Sequence, residues 1–201
     1  MNNINNLLYV VLFLCAGLFI SATNAHIDTV PVDSEKSIVK WKGSKISESH
    51  EGVVNIQKGV LMIDHGVLKG GQFAIDMNTI TTTDIESERG KKRLDAHLKN
   101  DDFFSVEEHP LSVITITNVK KKSNNTYVIT ADLTIKGITN SIVFDSEVII
   151  NGKNFTASAK IKIDRTKWGI KYGSGNFFED LGDRMILDEI EFDVNLVSMI
   201  R

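Results

Sequence analysis

The 201-residue sequence has one cysteine, Cys15, and two prolines, Pro31 and Pro110. A single cysteine forms no intrachain disulfide, so the fold must rest on burial rather than on a covalent framework. With so little proline and no Ser/Gly/Pro-rich stretch, nothing reads as an interdomain linker, and one domain is the economical organisation. Positive charge is also in short supply. Lys and Arg number 23 against 26 Asp and Glu, a net charge of −3, which lacks the basic footprint of a nucleic-acid binder.

Catalytic and metal-binding patterns are missing as well. His26, His50, His65, His97 and His109 form no His-x-His or His-Glu-x-x-His pattern, so no metal site is expected. Gly173-Ser174-Gly175 lacks the outer glycines of a nucleophile elbow. Phe178 stands where a dinucleotide fingerprint needs its third glycine, which leaves a polar glycine-rich turn. The pairs Asp101-Asp102 and Glu107-Glu108 fall in loops, where neighbouring carboxylates are ordinarily solvated. No enzyme and no cofactor are expected.

Residues 1–25 lack charge altogether. They carry the apolar run Leu7–Ile20 and then small residues at Thr23 and Ala25, the hydrophobic segment and cleavage site of a secretory signal. The run is short of the roughly 20 apolar residues that span a bilayer. The missing Lys or Arg before it is a departure from the usual pattern, and Leu14 is too large for a lipoprotein site at Cys15. The expectation is a signal peptide over 1–25, cleaved after Ala25, and a domain over 26–201. The mature protein would be periplasmic or secreted, without cysteine and not integral to the membrane.

What the sequence does have is period-two alternation rich in β-branched and aromatic residues. Phe73, Ile75 and Met77 alternate with polar or small neighbours. Ile142, Phe144, Val148 and Ile150 do the same, as do Phe155, Ala157, Ala159, Ile161 and Ile163. The last run is the cleanest, with Ile186, Ile190, Phe192, Val194 and Leu196 opposing Glu189, Glu191, Asp193 and Asn195. Turn residues separate the runs at Lys58-Gly59, Asp64-His65-Gly66, Ser123-Asn124-Asn125, Lys136-Gly137 and Asn151-Gly152. The pattern predicts eight or nine antiparallel strands in an all-β fold, either a sandwich or a closed barrel. Thr83-Asp84-Ile85-Glu86 has the form of a capping box, and Leu94, His97 and Leu98 follow at helical spacing, predicting one short helix within 85–99.

Several side chains read two ways. Arg165 would pair with a carboxylate or pack on Trp168, or else hold a head group at a barrel mouth. His97 is a satisfied core histidine or a ligand contact. Phe103 and Phe104 anchor a helix exit in the core or sit at a cavity rim.

The stretch His97-Leu98-Lys99-Asn100-Asp101-Asp102-Phe103-Phe104, with Pro110 after it, resembles the YceI-like family of polyisoprenoid-binding proteins. So do Ala131-Asp132-Leu133-Thr134-Ile135-Lys136-Gly137-Ile138-Thr139 and Ile163-Asp164-Arg165-Thr166-Lys167-Trp168-Gly169-Ile170. Trp41, Gly70-Gly71-Gln72-Phe73, Asp76-Met77 and Asp188-Glu189-Ile190 support it, and together these cover about residues 30–197. Ala131 departs from the glycine common at that place. The resemblance implies a lipocalin-like, eight-stranded antiparallel barrel with an isoprenoid lipid, of quinone or polyprenyl type, inside. It allows a homodimer. Burying a five-carbon isoprene unit contributes about 3–4 kcal/mol, so three or four units approach or exceed an association cost of roughly 4–15 kcal/mol. Expected wall residues are Phe73, Ile75, Met77, Phe144, Phe155, Ile161, Ile163, Ile190 and Phe192. Those expected at the mouth are His97, Phe103, Phe104, Arg165 and Trp168. The competing reading is an exported protein-interaction or stress-related module whose filled barrel serves as scaffold.

Overall fold

A computed structural model describes residues 27–199, so the signal segment expected over 1–25 lies outside the described residues. The strands are β1 (Ile27–Pro31), β2 (Ile38–Lys45), β3 (Ser49–Asp64), β4 (Val67–Thr82), β5 (Leu111–Lys121), β6 (Thr126–Ile135), β7 (Ile138–Asn151), β8 (Asn154–Asp164) and β9 (Ile186–Val197). One helix, α1 (Glu88–Lys99), joins β4 to β5.

All the strand pairs are antiparallel, in the order β1-β3-β2-β9-β8-β7-β6-β5-β4, and β4 pairs back onto β3. This closes an eight-stranded barrel, the architecture that the resemblance implied. β1 is not a separate stave. It borders β3 at Val60–Asp64, whereas β2 borders the same edge at Ser49–Val54, so the two share one place in the wall. Closure gives every stave a partner on both sides, over only part of the length for β4–β5 and β7–β8.

Two sequence expectations are corrected. Lys58-Gly59 is not a turn. The flanking runs form one continuous strand with a bulge where Ile56 faces Ile75 and Lys58 faces Ala74. The extra residue bends β3 around the barrel, and Gly59 is needed because a Cβ there would lie 2.4 Å from the Phe73 ring. The helix starts later than the Thr83 capping box suggests. Ser87 is the N-cap, with its Oγ accepting from Gly90 N–H at 3.3 Å. Thr83 instead hydrogen-bonds through its N–H and hydroxyl to the Glu51 carbonyl, which keeps it at the strand end.

The barrel has two unlike ends. At one, tight turns join β3 to β4, β5 to β6 and β7 to β8. His65 and Gly66 both have positive φ in the first turn, and Gly152 alone does in the third. These are the primed hairpin turns that match strand twist. The other end is covered by α1, the segment 100–110 and the long connection 165–185 between β8 and β9.

Inward residues of the staves form the core, including Val39, Trp41, Ile56, Ile129, Val148 and Ile161. Outward positions carry Lys160, Lys162, Glu189 and Glu191, among which Lys162 pairs with Glu189 and Glu191.

Candidate ligand-binding cavity

The staves enclose an elongated cavity of about 200 Å³. Its lining follows β9 from Ile186 and Leu187 at the covered end to Leu196 near the hairpin end. That is about 30 Å of strand at roughly 3.3 Å per residue. The lining is aliphatic and aromatic apart from Gly43, Ser112, Ser146, Ser158 and Arg165. Ser146 Oγ donates to the Ser158 carbonyl at 2.9 Å, so that hydroxyl is already engaged. A tube this apolar has little to offer a sugar, a nucleotide or a metal ion. It suits a slender hydrocarbon.

Phe73, Ile75, Met77, Phe144, Ile161, Ile190 and Phe192 all line the cavity. Phe155 and Ile163 do not, though both are buried. Phe155 sits at the hairpin end, where its backbone N–H and carbonyl bond Ser198. Ile163 lies near the opposite end of β8, and Arg165 takes the lining position there. Strand alternation finds the inward face but not how far along it the cavity runs. The remaining lining comes from the cover and from every stave, with Ile56, Ile114, Ile116, Ile129 and Leu133 contributed by β3, β5 and β6. Those runs were legible as strands, and only their facing was left unassigned.

Within the cover, the segment after α1 folds on local polar bonds. The Asn100 carbonyl accepts from Phe103 and Ser105 N–H, and the Leu98 carbonyl accepts from Phe104. This reversal turns Phe103 and Phe104 into the cavity lining. His97 stays behind them. Its ring meets Phe103 and Tyr172 edge-on, each at 4.8 Å between centroids, and its Nε2 lies 3.1 Å from Asp102 Oδ2. It is not part of the lining. Asp95 ties α1 to β4 by accepting from Thr81 Oγ1, Thr82 N and Thr82 Oγ1 at 2.7–2.8 Å. Burial pushes the Asp95 carboxyl up, but these hydrogen bonds outweigh it and hold the group below its ordinary value.

Arg165 and Trp168 lie on a 3-10 turn, Arg165–Trp168, capped by Asp164 and closed by Gly169 at φ 74°. β7 and β8 pair only over Ser146–Asn151 and Asn154–Ala159, and the turn sits where they part. Trp168 Nε1 donates to the Leu133 carbonyl on β6, and Asn140 Nδ2 on β7 donates to the Lys167 carbonyl. Trp168 is buried but outside the lining, so it closes the wall rather than the mouth.

Arg165 does face the cavity and is only 1 % exposed. Its Nε, Nη1 and Nη2 donate to the carbonyls of Leu187, Ile170 and Ile186, and Asp188 Oδ1 lies 3.3 Å from Nη2. Burial lowers its pKa and the carboxylates of Asp188 and Asp164 oppose that shift. A guanidinium so fully engaged stitches β9 to the turn, and little of it is left for a ligand's anionic group.

Residues 31–198 match the YceI-like domain. The chain belongs to the YceI-like family. A UPF0312 protein of Photorhabdus laumondii is 32% identical over 114 residues, 53% of either chain. Protein YceI of Escherichia coli is 31% identical over 93 residues, 42% of this chain and 47% of that one. The chain thus spans about half the length of these relatives in the matched regions. Among solved structures, BcnA of Burkholderia cenocepacia superposes with a TM-score of 0.66 at 22% identity, covering 84% of this chain and 99% of its own. A polyisoprenoid binding domain from Saccharophagus degradans gives a TM-score of 0.61 at 14% identity, covering 85% and 98%. At these identities the structural likeness establishes the YceI-like barrel alone.

Two buried polar atoms have no hydrogen-bond partner among the described residues, Trp41 Nε1 and Asp188 Oδ1. Asp188 Oδ1 still has the Arg165 charge nearby. Trp41 lines the cavity, and its indole N–H has nothing to donate to.

Proposed function

We propose that this protein is a non-catalytic carrier that holds one isoprenoid lipid, of quinone or polyprenyl type, along the barrel axis. The observation that carries the reading is the cavity, apolar over nearly its whole lining and long enough for a chain rather than a compact molecule. Its volume exceeds the about 150 Å³ of an engineered apolar cavity that takes up benzene. The Saccharophagus degradans barrel, described as polyisoprenoid binding, supports the same ligand class.

Affinity then comes from chain length, at about 3–4 kcal/mol per isoprene unit. Among the described residues no group of His, Cys, Asp or Glu is arranged to hold a metal ion, and no helix is long and apolar enough to cross a membrane. The uncharged 1–25 segment supports an exported, periplasmic or secreted location.

Solvent extraction of protein purified from its native compartment tests the carrier reading. Mass spectrometry is expected to find a stoichiometric isoprenoid. A preparation free of lipid that also refuses added long-chain quinone would reject it, and the scaffold reading would take its place.

A further inference from the structure

The connection between β8 and β9 inverts the usual burial rule. Ser174 in its middle is fully buried, while Phe177 and Phe178 are each 49% exposed and Tyr172 is 43% exposed. A loop free to settle would bury its rings and leave its serine in water. This one is fixed against doing so. The Ser174 carbonyl accepts from both Phe177 and Phe178 N–H, and Ser174 Oγ accepts from Asn176 N–H. Asn176 Nδ2 reaches Asp188 Oδ2 at 2.6 Å, and the Gly173 carbonyl accepts from Ile186 N–H. These bonds fix the backbone of the loop that presents the two phenyl rings.

The patch adjoins the cavity. Tyr172 packs against Phe103, and Phe103 lines the cavity. Ring contact therefore leads from exposed Tyr172 to the inside of the barrel. Its charge is not basic. Lys171 lies over the Phe177 ring at 4.6 Å, and Arg184 is taken up by the Leu181 and Asp180 carbonyls, while Glu179, Asp180 and Asp183 occupy the same loop.

We infer that Phe177, Phe178 and Tyr172 form a docking surface for a lipid bilayer, through which the cavity exchanges its cargo. The inference rests on the carrier reading, because an isoprenoid chain is too insoluble to reach the mouth through water. Aromatic side chains are the residues that settle at a membrane interface. With three carboxylates in the loop, contact is driven by the rings and not by attraction to anionic lipid.

The test uses the purified protein and its Phe177→Ser/Phe178→Ser variant in sedimentation with phosphatidylcholine vesicles, beside loading with a long-chain isoprenoid quinone added from solvent. The wild type is expected to partition to the vesicles at least about tenfold more than the variant. Added phosphatidylglycerol should not increase the partition. Both proteins should load quinone from solvent equally and unfold at the same temperature, because the replaced rings are half in water. Wild-type protein that stays in the supernatant, or a variant that binds vesicles equally, overturns the inference. Binding that requires phosphatidylglycerol does so too, since it would rest on cations elsewhere. A dimer that the variant abolishes, with no vesicle binding, would assign the patch to a second copy. Vesicle binding without quinone loading would leave the surface standing and reject the carrier reading.

Discussion

At the hairpin end, neighbouring strands are joined by turns whose geometry is set within two or three residues, as at His65-Gly66 and Gly152. At the covered end, α1 and the 165–185 connection are held by individual long-range bonds. Asp95 reaches β4, Lys136 Nζ donates to the Asp101 carbonyl, and Arg165 joins three carbonyls. Local turns reform wherever the chain is folded. A cover held by side chains can loosen without unfolding the staves beneath it, and mobile elements are drawn from such weakly cooperative parts. The proposed function therefore predicts that an apolar ligand passes at the covered end.

The contrast breaks most sharply at Arg165. Arg165→Ala strands three carbonyls and the Asp188 carboxylate, and should cost about 3–5 kcal/mol, measured by urea unfolding. Asp95→Asn should cost about 2 kcal/mol at pH 7, with faster hydrogen exchange confined to α1 and 100–106. Its carboxyl is more acidic folded than unfolded. The stabilisation is thus complete above the unfolded value near about 4 and lost as pH falls through the lower native value. The gap between wild type and variant should accordingly close below that range, as followed by thermal melts.

At the hairpin end, Gly66→Ala meets no neighbouring atom and costs only the positive φ, about 1 kcal/mol. It should leave quinone binding unchanged, which separates the two ends functionally. The smallest stability effect is expected for Trp41→Phe. Removing an unmet donor offsets the lost packing to within about 1 kcal/mol. Thermal melts of the two proteins check this.

Legibility from sequence divides along the same line. Strands, inward faces and primed turns are written in period two and in residues such as Gly66 and Gly152, because each depends on near neighbours. The facing of Phe73, Ile75 and Met77 and of Ile190 and Phe192 is read this way. Lys58-Gly59 misled because a glycine at a bulge and one in a turn look alike in sequence. Ser87 was hidden behind Thr83 because both suit an N-cap and only the Glu51 carbonyl decides between them. At the cover, the sequence points to Arg165, Trp168 and His97 without fixing their roles. Their partners Leu187, Leu133 and Tyr172 lie far away in the chain, so no local pattern could separate structural anchor from ligand contact. The loop that carries Phe177 and Phe178 is fixed by Ile186 N–H on the Gly173 carbonyl and by Asn176 on Asp188, partners that no local pattern shows.

The claim beneath all of this is that the barrel axis admits a chain. Ala157 lines the cavity on β8 between Val148 and Leu196, and a phenyl ring there would obstruct it. Delipidated protein and its Ala157→Phe variant can be titrated with a long-chain isoprenoid quinone and followed by native mass spectrometry. One quinone per wild-type chain, and none on a variant that melts at or above the wild-type temperature, is the expected result. A wild type that takes up no quinone, or a variant that takes it up equally well, would contradict it.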